Sequence, residues 1–319
     1  MTRPILILGT AIVAAAWTAT AASAPPAPKL KLKLPYDLEA SSSARYVYIA
    51  DGLRHQIHRY DQKRRRTTVY AGNGRKGSSG DGGLARRARL TEPTEIVLDR
   101  SGNLYFSDVN QGRVRRIDRR GTISTVARLK AAAGISIDPS GRYLAIASIE
   151  GWVYRVALPS GPLQRLAGNG TDKASGDGGP ALEAGLSGPH DVTYDADSNL
   201  LIAGYGNVRR IEAATGRIDT AFELPGFKIV AGAGGTFYLL NGDPNGGTVT
   251  QVDGAGKILQ RIGTGKIARH SDRTPIGRVG FLPSDVESVP GAILISETRP
   301  VAAVRRLATG SRTLTTLLR

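Results

Sequence analysis

Four acidic residues and one lysine stand at the same place in a recurring pattern of this 319-residue chain. Asp37, Glu95, Asp191 and Asp285 each lie two residues after a proline, and Gly134 and Lys228 take the corresponding places in two further copies of the pattern. Carboxylates gathered at one level repel and raise one another's pKa, so a cation or shared protons must neutralise them. Oxygen-only ligands suit a hard ion, which makes Ca²⁺ the cofactor these four residues point to as a metal site. A repeated position has a second use: each carboxylate can accept an N–H bond from the neighbouring copy. His190, adjoining Asp191, is the candidate catalytic base or ligand, with a histidine satisfied by a backbone carbonyl as the alternative. His55, His58 and His270 form no tetrahedral zinc pattern with it. The chain has no cysteine and no Gly-x-Ser-x-Gly, so a thiol or serine nucleophile has no support.

The elements that must position these residues are legible as repeats. Residues 71–90, Ala-Gly-Asn-Gly-x-x-Gly-x-x-Gly-Asp-Gly-Gly-Leu-Ala-x-x-Ala-x-Leu, return almost unchanged at 167–186, an offset of 96 residues. The same offset carries the strand that begins at Pro93 onto the one that begins at Pro189. Six alternating segments end at Asp61, Asp118, Ala157, Glu212, Asp253 and Ala308, at intervals of 57, 39, 55, 41 and 55 residues. Long and short units therefore alternate, the long ones carrying an insert of roughly 16 residues. Each unit reads as four antiparallel strands joined by turns such as Asp138-Pro139-Ser140-Gly141, and four such strands are a propeller blade. The expected fold is all-β, a six-bladed β-propeller, with the carboxylates at the axis. No amphipathic helix separates the strands, which excludes a doubly wound sheet.

The glycine-rich inserts lack the Gly-Lys-Ser/Thr ending of a phosphate loop and no helix follows them. They read as folded surface loops in which Asp81 and Asp177 accept backbone N–H bonds, with a helical turn over 181–186 packed on the blade. The third insert, 263–282, keeps Gly263 and Gly265 but not Gly-Asp-Gly-Gly, and its shape is expected to differ.

Tyr105-Phe106-Ser107-Asp108 followed by Val114-Arg115-Arg116-Ile117, together with the Pro-x-x-Ile/Val-x-x-Asp strand and the Ala-Gly-Asn-Gly insert, resembles NHL-repeat β-propellers from about Pro35 onward. The resemblance is specific for fold and leaves function open, because such propellers serve as enzymes, sensors and docking platforms. It implies two classes of activity. One is a binding or scaffold module. The other is a metal-dependent lyase or lactone hydrolase, similar to virginiamycin B lyase and gluconolactonase-like propellers, with an axial metal and His190 as proton acceptor.

Residues 1–24 have the form of a cleaved signal peptide: Arg3, an apolar run to Trp17, then small residues. Residues 25–34 read as a linker with an alternating edge strand, Lys29 to Leu34, and residues 35–319 as the propeller. The expected location is secreted, periplasmic or cell-envelope, without a membrane anchor after cleavage, and as a monomer. Formal net charge is +16 with a pI near 10.3. Arg115-Arg116, Arg209-Arg210 and Arg305-Arg306 occupy one strand position in blades two, four and six, an expected threefold anion-binding pattern alongside Arg64-Arg65-Arg66 and Arg86-Arg87. The partner this suggests is an anionic cell-envelope polymer or a protein. Nucleic acid is disfavoured, since aromatics at 6% offer few stacking platforms.

Overall fold

The computed structural model describes residues 32–243, 245–268, 274–299 and 302–318. The expected signal peptide, most of the linker and His270 lie outside them. Six antiparallel sheets follow one another along the chain, each built from consecutive strands. Their innermost strands are Pro35–Ala40, Pro93–Leu98, Ala132–Ile137, Asp191–Tyr194, Lys228–Ala231 and Leu282–Val289. Five sheets have four strands; the fourth gains a two-residue edge, Gly179–Pro180, donated by its insert to the outer strand Arg217–Phe222.

Side chains alternate along each strand, so every blade presents an apolar face to both neighbours. The core is accordingly divided into six clusters, one at each blade interface. The three inserts occupy alternate interfaces, which explains the alternating unit length. Ala85, Ala88 and Leu90 are buried between blades one and two, Ala181, Ala184 and Leu186 between three and four, and Val279 and Phe281 between five and six. Each insert contains one 3₁₀ turn: Ala85–Arg87, Ala181–Glu183 and Ile276–Arg278. The third insert keeps the closing hydrogen bond of the others despite its lost glycines: Gly263 N–H donates to Ile276 C=O at 3.0 Å, as Gly72 does to Ala85 and Gly168 to Ala181.

Blades one and six each take all four strands from their own stretch of chain, so the ring closes by face packing. Leu32, Leu38, Val47, Ile49 and Tyr60 meet Leu294, Val304 and Leu318 there. Leu32 to Leu34 is not a strand. Lys33 and Leu34 instead give their N–H groups to the Asp51 carboxylate at 2.9 Å each.

Candidate functional site at the axial mouth

The four acids do converge, and the cation among them is Lys228. Its Nζ lies 2.7 Å from Asp37 Oδ1, 3.5 Å from Asp285 Oδ1 and 3.9 Å from Asp191 Oδ2, and it donates to Glu95 Oε2. Three of the carboxylates also bind the next blade's backbone. Asp285 accepts from Leu38 N–H at 2.9 Å, Asp37 from Ile96 N–H at 2.6 Å and Asp191 from Ile229 N–H at 2.9 Å. Gly134, the sixth member of the level, lets Asp191 approach, because a Cβ there would collide with the Asp191 carboxylate and Cα. Its N–H donates to the His190 carbonyl at 2.9 Å, joining blades three and four.

These donors do not fit Ca²⁺. The position at which an ion would meet all four oxygens is held by an ammonium, and among the described residues no group of three or more His, Cys, Asp or Glu is arranged to hold a metal. The repeat places Lys228 at the level of the four acids; the fold makes it their counter-ion.

Two further acids, not singled out from the sequence, lie one strand period deeper. Glu39 accepts from Leu98 N–H at 2.8 Å and Glu287 from Ala40 N–H at 3.3 Å, repeating the blade-to-blade pattern. The signal for them was the period of two, which puts residues i and i+2 on one face. Burial raises the pKa of every acid in the channel. Glu95, Asp191 and Asp285 are pushed up to about 7 by burial, against the lowering pull of Lys228. Asp37 is raised well above the usual range by burial and by Asp285, Glu39 is pushed up to about 8 by burial with Asp37 and Asp285 adding to it, and Glu287 is raised well above the usual range by burial and by Glu39. The charged form of Lys228 is favoured because four carboxylates outweigh its own desolvation.

Above this lattice opens a cavity of about 940 Å³, with Glu95 and Lys228 among its lining residues and Tyr36, Phe227, Leu282 and His190 around them. The Tyr36 hydroxyl donates to Glu92 Oε1 at 2.7 Å. Leu53 and Ile149, at the turns between second and third strands of blades one and three, line the cavity while remaining 55% and 48% exposed. The matching turn of blade four carries Tyr205, 62% exposed and edge-on to His190 with ring centroids 4.7 Å apart. His190 Nε2 is buried without a hydrogen-bond partner, and burial lowers the pKa of the ring, which keeps it neutral. His55 and His58 serve blade one: His55 Nδ1 bonds the Thr91 carbonyl, and His58 is buried.

The arginine pairs divide. Arg115, Arg209 and Arg305 are 0%, 2% and 3% exposed and are internal staples, so the expected threefold cationic surface is not built from them. Arg115 Nη2 meets Asp81 Oδ1 at 2.6 Å and Arg209 Nη2 meets Asp177 Oδ1 at 2.5 Å, pinning inserts one and two to the third strand of the blade. Asp81 and Asp177 thus accept chiefly from guanidinium, with Thr125 Oγ1 and Thr220 N–H as their second donors. Arg305 pairs with Glu297 of the adjacent strand, Nε to Oε1 2.7 Å. Of the outer members Arg116 and Arg306 are half-buried and Arg210 is exposed. Arg116 donates to Asn103 Oδ1.

Comparison with known proteins agrees with this architecture. The Teneurin NHL domain model matches residues 34–147. Teneurin-1 of Mus musculus is 30% identical over 202 residues, 51% of this chain but 7% of that protein, and the chloroplastic protein SUPPRESSOR OF QUENCHING 1 of Arabidopsis thaliana is 31% identical over 72 residues, 23% of this chain and 7% of that protein. The chain therefore spans under a tenth of the length of these curated relatives. Among solved structures, virginiamycin B lyase from Staphylococcus aureus superposes with a TM-score of 0.58 at 16% identity, covering 90% of this chain and 86% of that one, which shows the shared fold. With six antiparallel blades on one axis and the duplicated Gly-Asp-Gly-Gly inserts between alternate blades, the chain is a six-bladed β-propeller whose residues 34–147 match an NHL domain.

Proposed function

We propose that this chain is an exported binding propeller that docks a protein partner over its axial mouth. The observation that carries the reading is the cavity of about 940 Å³, whose apolar walls rise from a charged floor and whose rim leaves Leu53 and Ile149 exposed on separate blades. Exposed apolar groups at a pocket mouth are a docking signal, and aromatic anchors with a few polar groups are what a partner segment needs. The acids beneath pair with Lys228 and, at Asp37, Asp191 and Asp285, with the next blade's backbone N–H, so they hold the blades in register. No helix among the described residues is long and apolar enough to cross a membrane. Peptides selected from a displayed library on the intact chain test the reading. They should lose binding to a Leu53→Asp/Ile149→Asp variant of unchanged melting temperature. Selected peptides that bind this variant as well as the parent count against the mouth.

A second reading, a lyase or lactone hydrolase, is favoured by one observation: His190 lines that cavity as a neutral ring whose buried Nε2 has no partner, in a fold shared with virginiamycin B lyase. Ring opening of a lactone panel, abolished by His190→Ala, supports this reading. Turnover that survives the substitution removes His190 from it.

A further inference from the structure

The two copies of the insert share a backbone and differ in charge. Copy one carries Arg75, Lys76, Arg86, Arg87 and Arg89; the same positions of copy two, 96 residues on, hold Thr171, Asp172, Leu182, Glu183 and Gly185. The blade-two turn against which copy one is bonded adds Arg119 and Arg120, where the blade-four turn has Ala213, Ala214 and Thr215. Copy two and its turn carry only Lys173 and Arg217, so seven cations stand at positions where the second copy has none. All seven are exposed, and none forms an ion pair with a described residue. A repeat conserves what its scaffold needs, so cations present in one copy alone are not needed to fold the loop.

Hydrogen bonds join these residues into one surface. Ala85 N–H donates to Gly121 C=O at 2.8 Å, setting Arg86 and Arg87 beside the turn that bears Arg119 and Arg120. Asn73 Nδ2 donates to Arg87 C=O at 3.1 Å, and Lys76 bridges in parallel to Leu90, next to Arg89. The nearby acids are already engaged. Asp81 holds Arg115 and the Thr125 hydroxyl, and Asp118 accepts the N–H groups of Arg120 and Thr122.

We infer that this copy-one surface, on the outer edge between blades one and two, binds a linear acidic polysaccharide through its carboxylates. The guanidinium fork pairs bidentately with a planar carboxylate, and several forks along a loop suit a polymer with one acid per sugar. Insert one contains no aromatic residue, so it offers no platform for stacked bases, which separates this ligand from single-stranded nucleic acid. Ser78 and Ser79 supply small polar groups for sugar hydroxyls within the same loop. This inference is independent of the axial mouth and survives if docking there fails.

The test measures binding of the whole chain to polygalacturonate across a salt series, with dextran, single-stranded oligothymidylate and anionic phospholipid vesicles as the other arms. The copy-two variant takes the copy-two residue at three positions, Arg75→Thr, Lys76→Asp and Arg87→Glu, and a neutral glutamine at the other two, Arg86→Gln and Arg89→Gln. The reference variant, Arg210→Gln/Arg217→Gln, removes exposed cations from blade four. Polygalacturonate should bind at low salt and weaken steeply as salt rises, and the copy-two variant should lose about tenfold or more while the reference variant changes little. Equal losses in both variants, unchanged binding by a folded copy-two variant, or tighter binding of oligothymidylate or vesicles than of polygalacturonate each overturn the inference.

Discussion

Replacing Lys228 by Met removes the only cation of the axial lattice and leaves four carboxylates, three of them almost fully buried, without compensation. Breaking a buried pair by deleting one partner costs about 3–5 kcal/mol. For a domain of this size, with about 2 °C per kcal/mol, the melting temperature should fall by about 6–10 °C at pH 8. The loss must depend on pH. Glu95, Asp191 and Asp285 have folded pKa values of about 7, above their ordinary values near 4. The folded state therefore binds their protons more tightly, so the stability they contribute is complete below pH ~4 and is lost as pH rises through about 7. Lys228 restrains that rise. Without it the acids move further up, and the variant should lose more at pH 8 than at pH 5, where they are largely protonated in either protein. Calorimetry at both pH values decides. A loss that is equal at the two, or absent, refutes the lattice. Should Lys228→Met not fold at pH 8, adding Asp37→Asn and Glu95→Gln should restore folding by removing the charges left behind.

Gly134→Ala drives a Cβ into Asp191 and should cost about 1–3 kcal/mol or more, read as a lower urea midpoint; an unchanged midpoint contradicts the close approach. Glu297→Ala takes a carboxylate from the Arg305 guanidinium, whose side chain is 4% exposed, and should cost about 3 kcal/mol. Asp81→Ala, whose carboxylate is 39% exposed so that water replaces part of its role, should cost about 1–2 kcal/mol, and the reverse order speaks against the staple argument. The His190 imidazole should titrate below 6.5 in NMR spectra because burial disfavours its charged form, and removal of Tyr205 should bring it nearer 6.5. A pKa above 6.5 in the parent means that an anionic partner has been missed.

The ring and its axis were legible because they rest on period and offset: the 96-residue duplication, the alternating unit length and the acid two residues after each proline. Lys228 was visible at the same level, but an offset gives no distance, and only the fold shows the ammonium reaching all four acids. The arginines misled for a related reason. A strand position repeated in blades two, four and six indicates a shared environment, and here that environment is the buried underside of each insert. The unrepeated cations of insert one carried the better surface signal, because a difference between copies cannot be demanded by the scaffold.

Six of the chain's 27 acids, Asp37, Glu39, Glu95, Asp191, Asp285 and Glu287, face the channel, so the outer surface is more cationic than the net charge of +16 implies. Inner acids and outer arginines also answer to pH separately. Between pH 5.5 and 8 Glu95, Asp191 and Asp285 pass through their raised pKa values of about 7, whereas guanidinium groups remain charged and uronate carboxylates remain ionised. Stability should therefore decline across this range while affinity for polygalacturonate at constant salt stays flat. Paired measurements of melting temperature and affinity at pH 5.5 and 8 separate the two. An affinity that falls in step with the melting temperature places the anion site in the channel, and one that holds while stability drops assigns the lattice to the fold and insert one to the ligand.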